Sequence, residues 1–148
     1  MALLEVDRLK VEFPTRRGTL LALDEVSFSI EPGEILGVVG ESGAGKSLTG
    51  AAIIGLLEPP GRVSGGEIRF EGQRIDNLPR EKMRAIRGRR IGAIFQDPLT
   101  SLNPLYTVGR QLIETIRNHL PVSESEARQR AIKLLQETGI PAAEQRID

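Results

Sequence analysis

Eight consecutive residues, Gly40-Glu41-Ser42-Gly43-Ala44-Gly45-Lys46-Ser47, fit the pattern G-x-x-x-x-G-K-[ST] without a mismatch. Each fixed position answers a physical need. Gly40 lets the chain leave a strand. Gly43 and Gly45 lack the Cβ that would block close backbone approach or a positive φ. Successive amide hydrogens can then converge on phosphate oxygens, where a following helix presents its unpaired donors and the positive end of its dipole. The Lys46 ammonium can reach β- and γ-phosphates as a point charge, and the Ser47 hydroxyl is placed to ligate Mg²⁺. A nucleoside triphosphate is therefore assigned to Gly40, Ser42, Gly43, Ala44, Gly45, Lys46, Ser47 and Leu48. Residue frequencies give a chance match somewhere in a chain of this length on the order of one per cent. The loop does not by itself fix a reaction, because kinases, GTPases and transport ATPases share it.

The elements that must position this loop follow from periodicity. Leu4, Val6, Leu9, Val11 and Phe13 alternate with charged residues and predict a strand. Leu23, Val26, Phe28 and Ile30 predict a second one after the polar turn Thr15-Arg16-Arg17-Gly18. Such a pair suggests an antiparallel layer with one wet face. Ile35-Leu36-Gly37-Val38-Val39 is a continuous apolar run, expected of a strand buried on both faces, and it feeds the glycine-rich loop. Ser47 to Leu57 should be a helix stopped by Glu58-Pro59-Pro60-Gly61, and Gly66 to Phe70 a strand. Arg80 to Arg90 reads as a short basic helix or loop, and Ile91-Gly92-Ala93-Ile94-Phe95 as a second apolar strand. Gln96 to Pro104 carries two prolines and no helical period, which predicts a loop. Val108 to Leu120 has a helical period. Ser123 with Glu126 has capping-box spacing before a helix through Ala127, Ala131, Leu134 and Leu135, closed by Gly139 and Pro141.

Bulk properties narrow the classes. The chain of 148 residues has 39% hydrophobic and 27% charged residues, as a globular domain does. Lys plus Arg (20) balances Asp plus Glu (20), so no global field favours nucleic acid or anionic lipid. The basic cluster Arg80, Lys82, Arg84, Arg87, Arg89 and Arg90 is read as a solvated helix and turn, with no nucleic acid partner. The absence of cysteine excludes disulfides, thiolate metal sites and cysteine nucleophiles within this chain. One histidine, His119, cannot make a histidine-rich metal site and is expected at the surface near a helix end. No apolar run approaches the ~20 residues that cross a bilayer, and the N-terminus does not read as a secretion signal. A cytoplasmic location is the expectation.

With these residues in place, the sequence resembles the ATP-binding subunit of an ABC transporter, and within it the dipeptide/oligopeptide/nickel importer branch. The resemblance runs in order through Leu9-Lys10-Val11-Glu12-Phe13, Val26-Ser27-Phe28-Ser29-Ile30, Gly33-Glu34, the phosphate loop, and Ile94-Phe95-Gln96-Asp97-Pro98-Leu99-Thr100-Ser101-Leu102-Asn103-Pro104. The last segment is the most specific. The implied fold is α/β: a P-loop NTPase core of the ABC ATPase type with an antiparallel β subdomain and the beginning of a helical subdomain, truncated. Residues 1–105 correspond to the N-terminal part of the nucleotide-binding core and 106–148 to the start of the helical subdomain. Gln96 corresponds to the Q-loop glutamine, which the resemblance places on Mg²⁺ or the attacking water as a catalytic residue. Phe13 corresponds to the aromatic that stacks on adenine. The implied partners are membrane-spanning permease subunits, a second ATP-binding subunit in a homo- or heterodimer, and a solute-binding protein indirectly. The implied place is the inner face of the cell membrane, peripherally.

Other family features do not occur. There is no Leu-Ser-Gly-Gly-Gln-like signature; Ser64-Gly65-Gly66-Glu67 is similar only superficially, precedes a strand and lies too early. Neither a late apolar strand ending in Asp-Glu nor a switch histidine is present. The chain is therefore expected to be the N-terminal portion of a longer subunit, cut in the helical subdomain, with little or no ATP hydrolysis alone and an exposed apolar sheet edge. Two further readings stand beside this one: a nucleotide-binding fragment without activity, and a soluble ABC ATPase outside transport, against which Gln96 to Pro104 argues.

Overall fold

The computed structural model describes residues 1–97 and 101–148. They form two compact units, Met1–Arg87 and Gly88–Asp148.

The first unit is built on a four-stranded antiparallel sheet in the order β2-β1-β3-β4. Strand β1 (Leu4–Thr15) turns back into β2 (Gly18–Ile30), and β3 (Arg62–Phe70) and the short β4 (Gln73–Arg74) complete it. Val6, Leu9, Val11, Leu23 and Ile68 are buried, and the intervening charged residues face water, the two-sided pattern that alternation predicts. The alternation breaks in β1 and again in β2, where Leu23 and Val26 are three apart and Glu25 sits at φ 53°. Val6 and Leu9 are three residues apart, yet both are buried, because β1 carries a bulge at Asp7-Arg8 against both neighbours. Arg8 sits at φ 45°, and its amide donates to Ser27 Oγ at 2.7 Å. Two helices belong to the same unit, α1 (Lys46–Ile53) and α2 (Arg80–Ile86), and Ala52 and Met83 are their buried residues.

Beyond β4 the chain is held to β3 by a side chain. Asp76 Oδ1 accepts from the Ile68 amide at 2.8 Å, and both carboxylate oxygens take the Arg74 guanidinium at 2.8–3.1 Å. The Asp76 side chain is only 4% exposed. Burial pushes its carboxyl up, but Arg74 and the Ile68 amide outweigh burial and hold it below the ordinary aspartate range. A depressed carboxyl stabilises the fold fully above the unfolded value of about 3.9, and that contribution fades as the pH falls through the folded value. Asp76→Ala is expected to cost about 2 kcal/mol in urea unfolding at neutral pH, with the difference from wild type shrinking below about pH 4.

The second unit is helical: α3 (Val108–His119), α4 (Glu124–Glu137) and α5 (Ala143–Arg146). The expected cap is present, with Ser123 Oγ accepting from the Glu126 amide at 3.2 Å. Gly139 follows α4 at φ 79°, as a helix-closing glycine does. Ala127, Ala131, Ala143 and Ile147 are buried. His119 ends α3 half-buried, its ring lying against Gly88. The exposed side chains of Arg80, Lys82, Arg84, Arg89 and Arg90 agree with a solvated basic segment.

Two expected strands are not formed. Ile35 to Val39 and Ile91 to Phe95 belong to no sheet, and Ile35, Val39 and Ile94 are 95%, 94% and 103% exposed. A strand buried on both faces needs hydrogen-bonded neighbours and cover above and below. The four strands pair only among themselves, and apart from an isolated bridge at Ile91 neither apolar run enters a ladder among the described residues.

Candidate functional site

The glycine-rich loop enters α1 through Gly45, which caps the helix at φ 85°, ψ 4° with no side-chain cap. Gly43 shares φ 85°, and both values lie in the left-handed region that a Cβ disfavours. Gly45 is also tightly approached, since a Cβ there would stand 2.5 Å from Leu23 Cδ2. Leu23 pairs with Val11 of β1, two residues before Phe13. The phosphate loop and Phe13 therefore share the same end of the β1–β2 ladder. Gly40 meets a different need: its built Cβ would lie 3.2 Å from that of Ala44, so the loop closes on itself there.

The donors face outward. The Ala44 amide is used within the loop, donating to the Glu41 carbonyl at 3.1 Å, and the Thr49 amide and hydroxyl both return to the Gly45 carbonyl, at 2.8 and 2.9 Å. The amides of Gly43, Gly45, Lys46, Ser47 and Leu48 find no protein acceptor among the described residues. No acidic residue lies in the first turn of α1 to neutralise them. An anion with several oxygens is the ligand that such a row of unpaired amides at a helix start suits. Lys46 adds the one full positive charge. Its Nζ donates to the Gly40 and Glu41 carbonyls, both at 2.7 Å, which folds the ammonium over the loop. The Ser47 side chain is exposed at the same helix end.

Phe13 is half-buried near the end of β1, opposite Leu20. Gln96 lies in the second unit, exposed and outside any helix or strand. Pro98, Leu99 and Thr100 lie outside the described residues. The chain from Ser101 to Pro104 has no helix, as expected of a loop, and is held by Gln111 of α3. That amide accepts from the Asn103 backbone at 2.8 Å and donates to the Asn103 and Tyr106 carbonyls at 2.9 and 3.0 Å. Ser64-Gly65-Gly66-Glu67 lies inside β3.

Sequence reasoning missed Leu23 and Thr49 as supports of the loop. Thr49 carried a usable signal, a hydroxyl four residues after the capping glycine. Leu23 carried none, because its contact spans the fold.

Comparison with known proteins gives the family and the fold. A family model described as ABC transporter matches residues 23–148. The dipeptide transport ATP-binding protein DppD of Escherichia coli (strain K12) is 46% identical over 148 residues, covering 100% of this chain and 45% of that protein. The oligopeptide transport ATP-binding protein OppD of Bacillus subtilis (strain 168) is 46% identical over 147 residues, 99% of this chain and 41% of that one. The chain thus spans less than half the length of these relatives. Among solved structures, a dimeric post-hydrolysis state of the ATP-binding cassette MJ0796 bound to ADP and Pi superposes with TM-score 0.78 at 24% identity, over 90% of this chain and 56% of that one. This last likeness establishes the fold, an α/β ATP-binding cassette core.

Proposed function

Because the chain belongs to the ABC transporter family, we propose that it binds Mg·ATP at its phosphate loop as the nucleotide-binding portion of a subunit that energises peptide import. One observation supports this reading: the amides of Gly43, Gly45, Lys46, Ser47 and Leu48, which have no protein acceptor among the described residues, stand with the Lys46 ammonium at a helix start whose first turn holds no acidic residue. In the bound state Lys46 exchanges two exposed carbonyls for phosphate oxygens, a stronger pairing because the acceptor is charged. The exposed Ser47 hydroxyl beside the loop is an oxygen donor suited to Mg²⁺, with phosphate supplying the negative charge; the Gln96 amide oxygen has the same donor chemistry. Bound there, the ion would neutralise charge on the phosphates and orient them. No group of three or more acidic or histidine side chains among the described residues could hold a metal without the nucleotide. Phe13 offers a ring to the adenine.

Gln96 would sense the nucleotide, and the chain after it, clipped by Gln111, would face permease subunits. A second ATP-binding subunit would complete the assembly, and a solute-binding protein would deliver the peptide. No helix among the described residues is long and apolar enough to cross a membrane. Attachment to the inner face of the cell membrane would therefore come from the permease.

Binding and hydrolysis separate chemically. Phosphoryl transfer to water needs a positioned nucleophile as well as a cradle, and no apolar strand ending in Asp-Glu follows the helical region in this sequence. Titrating a fluorescent ATP analogue with Mg²⁺ while assaying phosphate release is expected to show saturable binding and negligible release. Absence of saturable binding contradicts the reading; release at the rate of an intact transport ATPase contradicts the division between binding and chemistry.

A further inference from the structure

Gly61 ends the turn Glu58–Gly61, its amide donating to the Glu58 carbonyl at 2.8 Å. Its φ is not positive, so the backbone conformation there is open to any residue. Space is what requires glycine. A Cβ at Gly61 would stand 2.6 Å from Cε1 and 2.8 Å from Cζ of Phe13, and 2.9 Å from the Glu58 carbonyl oxygen. The ring edge thus rests on the Gly61 backbone, and the turn behind it blocks retreat. One step along the ladder, Glu12 of β1 is paired with Arg62 of β3, and Glu12 Oε1 lies 2.8 Å from Nε and 2.6 Å from Nη2. That ion pair fixes the two strands on either side of the ring and the glycine.

We propose that Gly61 is a positioning residue for nucleotide binding: it provides the seat that sets the plane of Phe13, and so the contact between the ring and the base. The inference rests on the reading of Phe13 as the base-stacking residue. Its physical content is a separation of the ligand into two parts. The phosphates are held by the loop before α1, which Gly61 does not touch. The base is held by a ring whose position a side chain at residue 61 would shift. Stacking of a base on an aromatic is worth roughly 1–3 kcal/mol, or about 5- to 150-fold in affinity.

The test compares affinities for ATP and for inorganic tripolyphosphate, which has the anion without the base. It uses wild type, Gly61→Ala, Gly61→Val, Phe13→Ala, and the pair Phe13→Ala/Gly61→Val. Wild type should prefer ATP, and Gly61→Val should lose about tenfold in ATP affinity with tripolyphosphate affinity unchanged; Gly61→Ala should lose less. In the Phe13→Ala background Gly61→Val should cause no further loss, and removing the ring should restore any unfolding midpoint that Gly61→Val lowers. Equal loss for both ligands in every Gly61 variant, or unchanged ATP preference in both, overturns the positioning role. A wild type that binds tripolyphosphate as tightly as ATP overturns the stacking role of Phe13 instead, and one that binds neither overturns the nucleotide reading itself.

Discussion

Replacing Lys46 by alanine is expected to weaken ATP binding about 100-fold while leaving the protein folded. The ammonium is the only full positive charge that the loop folds over itself, and it sits 2.7 Å from two carbonyl oxygens at the rim of the anion site. A hydrogen bond to a charged group contributes about 1.5–3 kcal/mol, and a lysine facing two phosphate groups makes more than one. The carbonyls it leaves are exposed. Water replaces the lost donors there, so the unfolding free energy should change by less than about 0.5 kcal/mol. Isothermal titration of the variant alongside urea unfolding separates the two effects. Lys46→Arg is expected to recover only part of the affinity, because a planar fork does not replace a compact point charge inside a closed loop. Wild-type affinity in Lys46→Ala would mean that the phosphates bind elsewhere.

A second large effect is expected far from the ligand. Gly66 lies in β3 at φ 78°, facing the bulge of β1, and a Cβ there would run into the carbonyl oxygens of Asp7 and Arg8. Those oxygens belong to the backbone and cannot swing aside. Gly66→Ala combines a left-handed conformation with a backbone collision, and should cost about 3 kcal/mol or more. Its neighbour gives the control. Gly65 has no positive φ, and its built Cβ would meet only Lys10 side-chain carbons at 3.4–3.6 Å. Gly65→Ala should cost less than about 1 kcal/mol. Urea unfolding of the two variants decides the matter: equal costs would show that the bulge at Asp7-Arg8 yields, and that the register of β1 and β3 is softer than its geometry implies. The pair also settles the standing of Ser64-Gly65-Gly66-Glu67, whose glycines serve a sheet and not a ligand.

How far the sequence discloses this depends on the range of the interactions. Local rules were sufficient for the β1–β2 hairpin, for the loop and the helix after it, and for the Ser123 cap, because each is decided within a few residues. The bulge at Asp7-Arg8 was legible only as a spacing of three between Val6 and Leu9, which alternation alone does not interpret. The apolar runs Ile35 to Val39 and Ile91 to Phe95 were misread. Composition shows that a segment suits a buried strand, but pairing depends on neighbours that lie elsewhere in a chain, and here they are exposed. Contacts such as Leu23 on Gly45 and Phe13 on Gly61 left no local signature at all. The glycine-rich loop was readable for the opposite reason: the anion site proposed for it is made of its own backbone amides, so it would be written in consecutive residues.

The most direct measurement follows the loop amides themselves. In an amide-resolved NMR titration with Mg·ATP, the largest changes should fall on Gly43, Gly45, Lys46, Ser47 and Leu48, and they should disappear in Lys46→Ala at the same nucleotide concentration. Saturation of the wild-type protein with those five amides unmoved would contradict the account, wherever else the spectrum responded.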